Sequence, residues 1–323
     1  MSQEETKSKR PILRVFSREK KIYHNGMTKF QWTWKLMKEN KVAYFMLAPY
    51  YFNFIIFILF PVVLSILASF TDFNMLELPN WVGISNYTRL FFEDELFTLA
   101  IQYTLIFAVL VGPICYLVSM LMAWFINELS PKMRTAVTAI FYCPALGINA
   151  DMVLQIFFVG DEYGYLNSIL LKLGFIDAPI QWFSETEYII PLCVLFAVWG
   201  CLGMNFLSFV AGFQTVNRDM YEAAAVDGIK NRWQELWYVT LPSLRPQMMF
   251  SAVLSITGAF SFSAGMAGNP PVDYVGYTIS MHIADYGTSR YEIGFSSAMC
   301  MILFIMTVTA NMAIRKMLKK VGE

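Results

Sequence analysis

The chain has 323 residues, of which 57% are hydrophobic and 15% charged, with a mean hydropathy of +0.48. A soluble globular domain carries roughly a quarter charged residues, so this composition excludes an ordinary soluble domain and points to a membrane protein. Net charge is formally zero, with 24 Lys and Arg against 24 Asp and Glu, but the two signs are segregated along the chain.

Residues 1–41 form a polar, basic segment with no short apolar core ending in a cleavage site, so the first span is expected to act as an uncleaved insertion signal. Residues 1–25 read as a solvated tail. The stretch Phe30–Lys38 mixes aromatic and basic residues and is expected to lie along the membrane surface as an amphipathic helix. A bilayer core takes about 20 apolar residues in helical form. Five stretches free of Asp, Glu, Lys and Arg are long enough, 42–71, 96–127, 188–217, 246–272 and 293–314, and a sixth, 135–160, is interrupted by Asp151.

Six spans place alternate loops on one side. The N-terminal tail, 128–134, 218–245 and the C-terminal tail together hold 21 of the 24 Lys and Arg, whereas Arg89, Lys172 and Arg290 stand alone on the other side. Positive residues concentrate in the cytoplasm, so both termini and the 214–245 loop are expected there. The outer loops carry Glu93-Asp94-Glu95, Asp161-Glu162-Tyr163-Gly164 and Gly268-Asn269-Pro270-Pro271, and Trp32, Trp34, Trp81 and Trp182 fall just outside the spans. Cys115, Cys143, Cys193, Cys201 and Cys300 lie singly in apolar runs and read as buried free thiols. With only His24 and His282 besides, no metal site is expected. There is no phosphate-binding loop, no Ser/His/Asp set and no His-Glu-x-x-His helix, so neither ATP hydrolysis by that route nor intramembrane proteolysis is expected of this chain.

Residues 218–245 are a polar, helix-forming insert between apolar runs. Asp219 is expected to cap a helix over 220–227, with Gly228 ending it in a left-handed conformation. Asn231 with Gln234 suggests a second start of capping-box type, and Pro242 should end or kink that helix. Ala223, Ala224 and Ala225 leave a thin face suited to a partner's groove, while Trp233, Leu236 and Trp237 share a helical face that could hold the second helix to the membrane domain. Local propensity alone favours a plain capped loop helix.

The full pattern Tyr221-Glu222-Ala223-Ala224, then Asp227-Gly228, then Leu241-Pro242, closely resembles the "EAA" loop of binding-protein-dependent ABC importer permeases. Further likenesses are to the carbohydrate-type branch. Ser69-Phe70-Thr71-Asp72, Trp81-Val82-Gly83-Ile84-Ser85-Asn86-Tyr87, Tyr163-Gly164-Tyr165-Leu166-Asn167, Leu241-Pro242-Ser243-Leu244-Arg245-Pro246 and Gly294-Phe295-Ser296-Ser297-Ala298 carry them, across residues 40–320. Val216-Asn217 stand where that branch usually has Ile-Pro, and Gly268-Asn269-Pro270-Pro271 replaces its usual Gly-Gly-Pro. The resemblance implies an all-α, six-span permease of the type I importer fold, with a permease domain over 42–318 and short tails at 1–41 and 319–323. It implies a bacterial cytoplasmic-membrane location and no enzymatic activity in this chain. A second permease subunit, two ATPase subunits that bind ATP and Mg, an extracytoplasmic solute-binding protein and a saccharide are the implied partners, with membrane lipid around them and no nucleic acid. The loop would be the ATPase-coupling element. A secondary transporter or channel remains the alternative.

Polar groups within spans are costly and suggest a solute pathway. Asn149, Asp151 and Gln155 in the third span, Trp199 and Asn205 in the fourth, and Ser263 with Ser261 late in the fifth are the candidates. Amides, a carboxylate and an indole suit sugar hydroxyls and the apolar sugar face. Asp151 serves equally well as a partner to a neighbouring helix, and Trp199 as packing.

Overall fold

A computed structural model describes residues 29–146, 150–263 and 271–320. The chain divides into two compact units, Met1–Val63 and Leu64–Glu323. In the first, α1 (Lys29–Glu39) is followed by α2 (Lys41–Phe54) and a π turn over Ile55–Leu59. The expected surface helix around Phe30–Lys38 is therefore a helix. α3 (Phe60–Ala68) continues the run, so Lys41–Ala68 is one long apolar helix.

The second unit is built on α5 (Glu95–Asn127), preceded by α4 (Ser85–Phe92). α5 runs for 33 residues through a largely apolar sequence, continuing past the internal Pro113, and Asp94 fixes its start by accepting from the Phe97 amide at 3.1 Å. After α6 (Pro131–Leu146), α7 (Ala150–Phe157) and α8 (Tyr165–Lys172) come α9 (Thr186–Gly200) and α10 (Met204–Thr215). α11 (Arg218–Val226), α12 (Arg232–Glu235) and α13 (Leu241–Ser243) make the polar insert, and α14 (Arg245–Phe260), α15 (Ile279–Ala284) and α16 (Ile293–Lys320) complete the chain. α14, α10 and α9 pack on α5, and α16 packs on α14. One core forms around Phe97, Phe107, Ile279 and Met299, and another around Trp124, Phe206, Phe209 and Leu236. The described residues contain helices and one isolated bridge, Thr71 to Trp81.

Three of the expected spans are continuous helices of membrane-crossing length and apolarity: Lys41–Ala68, Glu95–Asn127 and Ile293–Met317. The fourth is broken. α9 and α10 meet at a 44° bend, at Gly200-Cys201-Leu202-Gly203. Gly203 sits with φ −110° and ψ −119°, and a Cβ there would press to 2.9 Å from that of Ala145. The described parts of the third are α6 and α7, on either side of residues 147–149, which lie outside the described residues; the helical part of the fifth, α14, stops at Phe260 after 16 residues. A charge-free run in sequence is thus compatible with a helix that breaks inside it, because breaking costs little where the freed backbone groups face protein or a cavity.

The motif residues outside the insert turn out to be staples. Asn86 donates from its amide to the carbonyls of Ser69 (2.9 Å) and Thr71 (2.8 Å), holding α4 against the end of α3. Gly294 approaches the Thr71 carbonyl so closely that any Cβ would overlap it, and its amide donates to Phe73 at 2.9 Å. Asn167 is fully buried, donates to the carbonyls of Val159, Asp161 and Ile180, and accepts from the Trp182 indole at 2.9 Å. Trp182 therefore anchors a loop rather than standing free.

Candidate coupling surface and cavity

α11 starts two residues earlier than the sequence suggests. Asn217 is the N-cap and its side-chain oxygen accepts from the Asp219 amide at 3.2 Å, leaving Asp219 in the first turn where its charge favours the helix dipole. Gly228 ends the helix at φ +94°. The Ile229 amide donates to Ala224 at 3.0 Å and the Gly228 amide to Ala225 at 3.3 Å, the paired bonds of a Schellman turn. Ala224 is buried and Tyr221 reaches the Thr240 hydroxyl at 3.1 Å, so this side of α11 faces its own protein. Glu222, Ala223, Ala225, Asp227 and Gly228 are exposed on the other. The result is a short, rigid knob with a small-residue surface and two carboxylates at its rim.

The second half of the insert departs from expectation. Asn231 makes no side-chain cap; Gln234 instead accepts from the Lys230 amide at 3.2 Å. Pro242 does not end the helix. A π turn over Leu236–Thr240 precedes it, α13 carries the chain through Pro242, and the break falls at Leu244. The π turn spoils the 3.6-residue spacing. Leu236 is buried; Trp233 lays one face on Trp124 with ring centroids 4.8 Å apart yet stays 64% exposed, and Trp237 is 67% exposed. Leu241 is half-buried and Pro242 exposed. Between the insert and the α5–α6 turn lies a polar cavity of ≈ 510 Å³ bordered by Glu128, Arg134, Tyr221, Glu222, Arg232 and Glu235.

A second cavity, of ≈ 530 Å³, opens within the helix bundle. Its wall comes from α5 (Val111, Cys115), the α9–α10 bend (Gly200, Cys201, Met204, Asn205), α14 (Ser255, Gly258) and the segment after it (Ser261, Ser263). Asn205 is buried to 8% exposure, and its amide donates to the Ser255 hydroxyl at 2.7 Å. Its Oδ1 has no hydrogen-bond partner among the described residues, which leaves a buried acceptor at the cavity wall. Such an atom is costly unless something donates to it.

Of the residues suggested for the solute pathway, Asn205 and Ser263 meet at this cavity, as does Ser261. Trp199, 42% exposed near the end of α9, and Gln155, half-buried on α7, are not among its lining. Asp151 lies in the first turn of α7, one turn before Gln155; Asn149 lies outside the described residues. Sequence reasoning missed Ser255, Cys115 and Cys201. A serine or cysteine in an apolar run carries no periodic signal, and these three are brought together only by the bend at Gly200–Gly203.

It also missed a network near the start of α5. His282 is 1% exposed; its Nε2 lies 2.8 Å from the Asp94 carboxylate and its Nδ1 3.1 Å from the Tyr277 hydroxyl. The carboxylate can only accept, so Nε2 donates, and in a neutral ring Nδ1 then accepts from Tyr277. Burial works against charge on Asp94, but the His282 contact and the Phe97 and Leu96 amides outweigh it and hold this carboxyl below its ordinary range. Arg89 pairs with Glu292 at 2.6 Å and lies over the Phe295 ring.

The sequence model of the family described as "Binding-protein-dependent transport system inner membrane component" matches residues 133–320. The arabinooligosaccharides transport system permease protein AraP of Bacillus subtilis (strain 168) is 31% identical over 286 residues, covering 86% of this chain and 90% of that protein. The lactose transport system permease protein LacF of Rhizobium radiobacter is 28% identical over 267 residues, covering 79% and 86%. In fold, a chain of a bacterial ABC transporter involved in the import of the acidic polysaccharide alginate superposes with a TM-score of 0.72 at 24% identity, covering 90% of this chain and 99% of that one. With the helical architecture and the knob of α11 in place, the chain belongs to the family of binding-protein-dependent transport system inner-membrane components, and its relatives are permease subunits of ABC transporters.

Proposed function

We propose that this chain is one of two permease subunits of an ATP-driven importer, crossing the membrane six times with both termini in the cytoplasm. Two separate ATPase subunits bind ATP and Mg, and an extracytoplasmic binding protein delivers the solute. The observation that carries the reading is the exposed face of α11, closed by the Schellman turn at Gly228. A small-residue knob with Glu222 and Asp227 at its edge is shaped to enter a groove and accept hydrogen bonds there. Tyr221 ties the knob to Thr240, and Leu241-Pro242 pass its movement into α14. For coupling, the ATPase must bind this surface differently in its two states.

The solute is a sugar or oligosaccharide. The relatives named for arabinooligosaccharides and lactose support this, as does a cavity that offers Asn205 Oδ1 and three serines to hydroxyl groups. The two interrupted spans, α9–α10 and the one begun by α14, fit a pathway, since broken helices in membranes gather where a cavity receives their free backbone groups.

The decisive experiment is affinity purification of the chain from its native membrane, followed by uptake in proteoliposomes. A P-loop ATPase should co-purify, and Gly228→Asp or Glu222→Lys should release it or abolish uptake. Full assembly and uptake in both variants would remove the coupling role. Asn205→Leu and Asp151→Ala then test the pathway: solute-stimulated ATP hydrolysis unchanged in either takes that residue out of it.

A further inference from the structure

The insert is joined covalently at both ends, to α10 through Val216-Asn217 and through α13 into α14. A further connection, to α5, is made by side chains. Trp233 lies on Trp124, which is buried in the last turn of α5, with the rings tilted at 55°. Beside it Arg232 reaches Glu128, the C-cap of α5, at 3.2 Å, while holding Glu235 of its own helix at 2.7 Å. The α5–α6 turn that receives these contacts is itself stapled, for Arg134 donates to the carbonyls of Asn127 at 2.7 Å and Leu129 at 3.3 Å.

We infer that Trp233 and Arg232 form a brace that carries displacement of the insert into α5 as well as α14. This rests on the coupling reading above. α5 and α14 wall the same cavity, through Val111 and Cys115 on one side and Ser255 and Gly258 on the other. A push delivered through the covalent ends alone would reach α5 only through its packing against α10 and α14; with the brace, the knob also acts on α5 directly. The ion pair is exposed, at 66% and 41%, and such pairs hold weakly. Trp233 is itself 64% exposed, so the grip comes from the one face it lays on the buried Trp124 ring, and the Arg232–Glu128 pair sets its direction. Both are positioning residues, distant from solute and nucleotide.

The test uses the whole importer, with its ATPase and binding protein, in proteoliposomes, and reads solute moved per ATP hydrolysed. Trp233→Ala, Glu128→Arg and Arg232→Glu should each keep the ATPase bound but lower this ratio, by about fivefold or more for the tryptophan, the lower end of usual coupling between sites. Trp233→Phe should retain most of it. The double exchange Arg232→Glu with Glu128→Arg should recover the ratio that each single change loses. Loss of ATPase binding in Trp233→Ala would make that ring part of the docking face and overturn the brace. So would an unchanged ratio, or failure of the double exchange to recover it. If no ATPase co-purifies with the wild type, the coupling reading fails first, which is a separate result.

Discussion

His282→Leu should destabilise the protein by about 2 kcal/mol, because it orphans a buried hydroxyl and one oxygen of a carboxylate at once. His282 is 1% and Tyr277 3% exposed, so neither lost bond is replaced by water, whereas Asp94 keeps the Phe97 amide on Oδ1. Tyr277→Phe should cost about 1 kcal/mol alone and markedly less in the His282→Leu background, where its partner is already gone. Asp94→Asn keeps a cap acceptor and loses the charge. The Asp94 carboxyl is held below its ordinary range, so its contribution is complete above the unfolded value of ~3.9 and is lost as pH falls through the folded value. The wild type and Asp94→Asn should therefore differ at pH 6, and the difference should begin to shrink only below about pH 4 and close as pH falls through the folded value. The assay is thermal unfolding in one detergent, followed by intrinsic fluorescence across that pH range. Full additivity of the two substitutions, or an Asp94→Asn difference that persists at low pH, would refute the network.

Gly294→Ala should lower the unfolding midpoint by the equivalent of about 1–3 kcal/mol, since its Cβ meets the Thr71 backbone, which cannot swing aside. Gly258→Ala makes the opposite case: a Cβ meets nothing within 4 Å, so it should stabilise α14 by about 0.5–1 kcal/mol in the same unfolding assay. Asn167→Ala strands the Trp182 indole and three carbonyls; a loss of about 3 kcal/mol is expected, visible as earlier proteolysis of the 159–182 segment.

The insert was legible because its determinants are local. A left-handed Gly228, a polar residue before the first turn and a run of alanines act within one or two helical turns, so the helix–turn–helix form follows from neighbouring residues alone. Errors of detail have local causes too. Asn217 and Asp219 are both capping residues, and the choice between them depends on where Val216 turns extended at ψ 127°. The π turn at Leu236–Thr240 leaves no mark that a 3.6-residue reading can detect, and of the three residues expected on one inward face Leu236 is buried while Trp233 and Trp237 are 64% and 67% exposed.

The cavity was legible only in part, for a reason that bears on function. Hydropathy reports whether a segment tolerates lipid, not whether its helix is continuous. The runs 188–217 and 246–272 score as spans, yet one bends by 44° and the helix of the other stops at Phe260. Those interruptions position Asn205, Ser261 and Ser263 on a common wall. The signal lay in glycines: Gly200 and Gly203 bracket the bend, and Gly203 has no room for a Cβ against Ala145. Read with Asn205 two residues on, that pair marks the point where a helix gives up its own hydrogen bonds and presents a buried amide. If so, Gly203→Ala should act on the cavity rather than only on stability. It should force α6 away from α10, alter solute-stimulated ATP hydrolysis and leave ATPase assembly intact. A variant that unfolds earlier but transports normally would show that the bend serves packing alone.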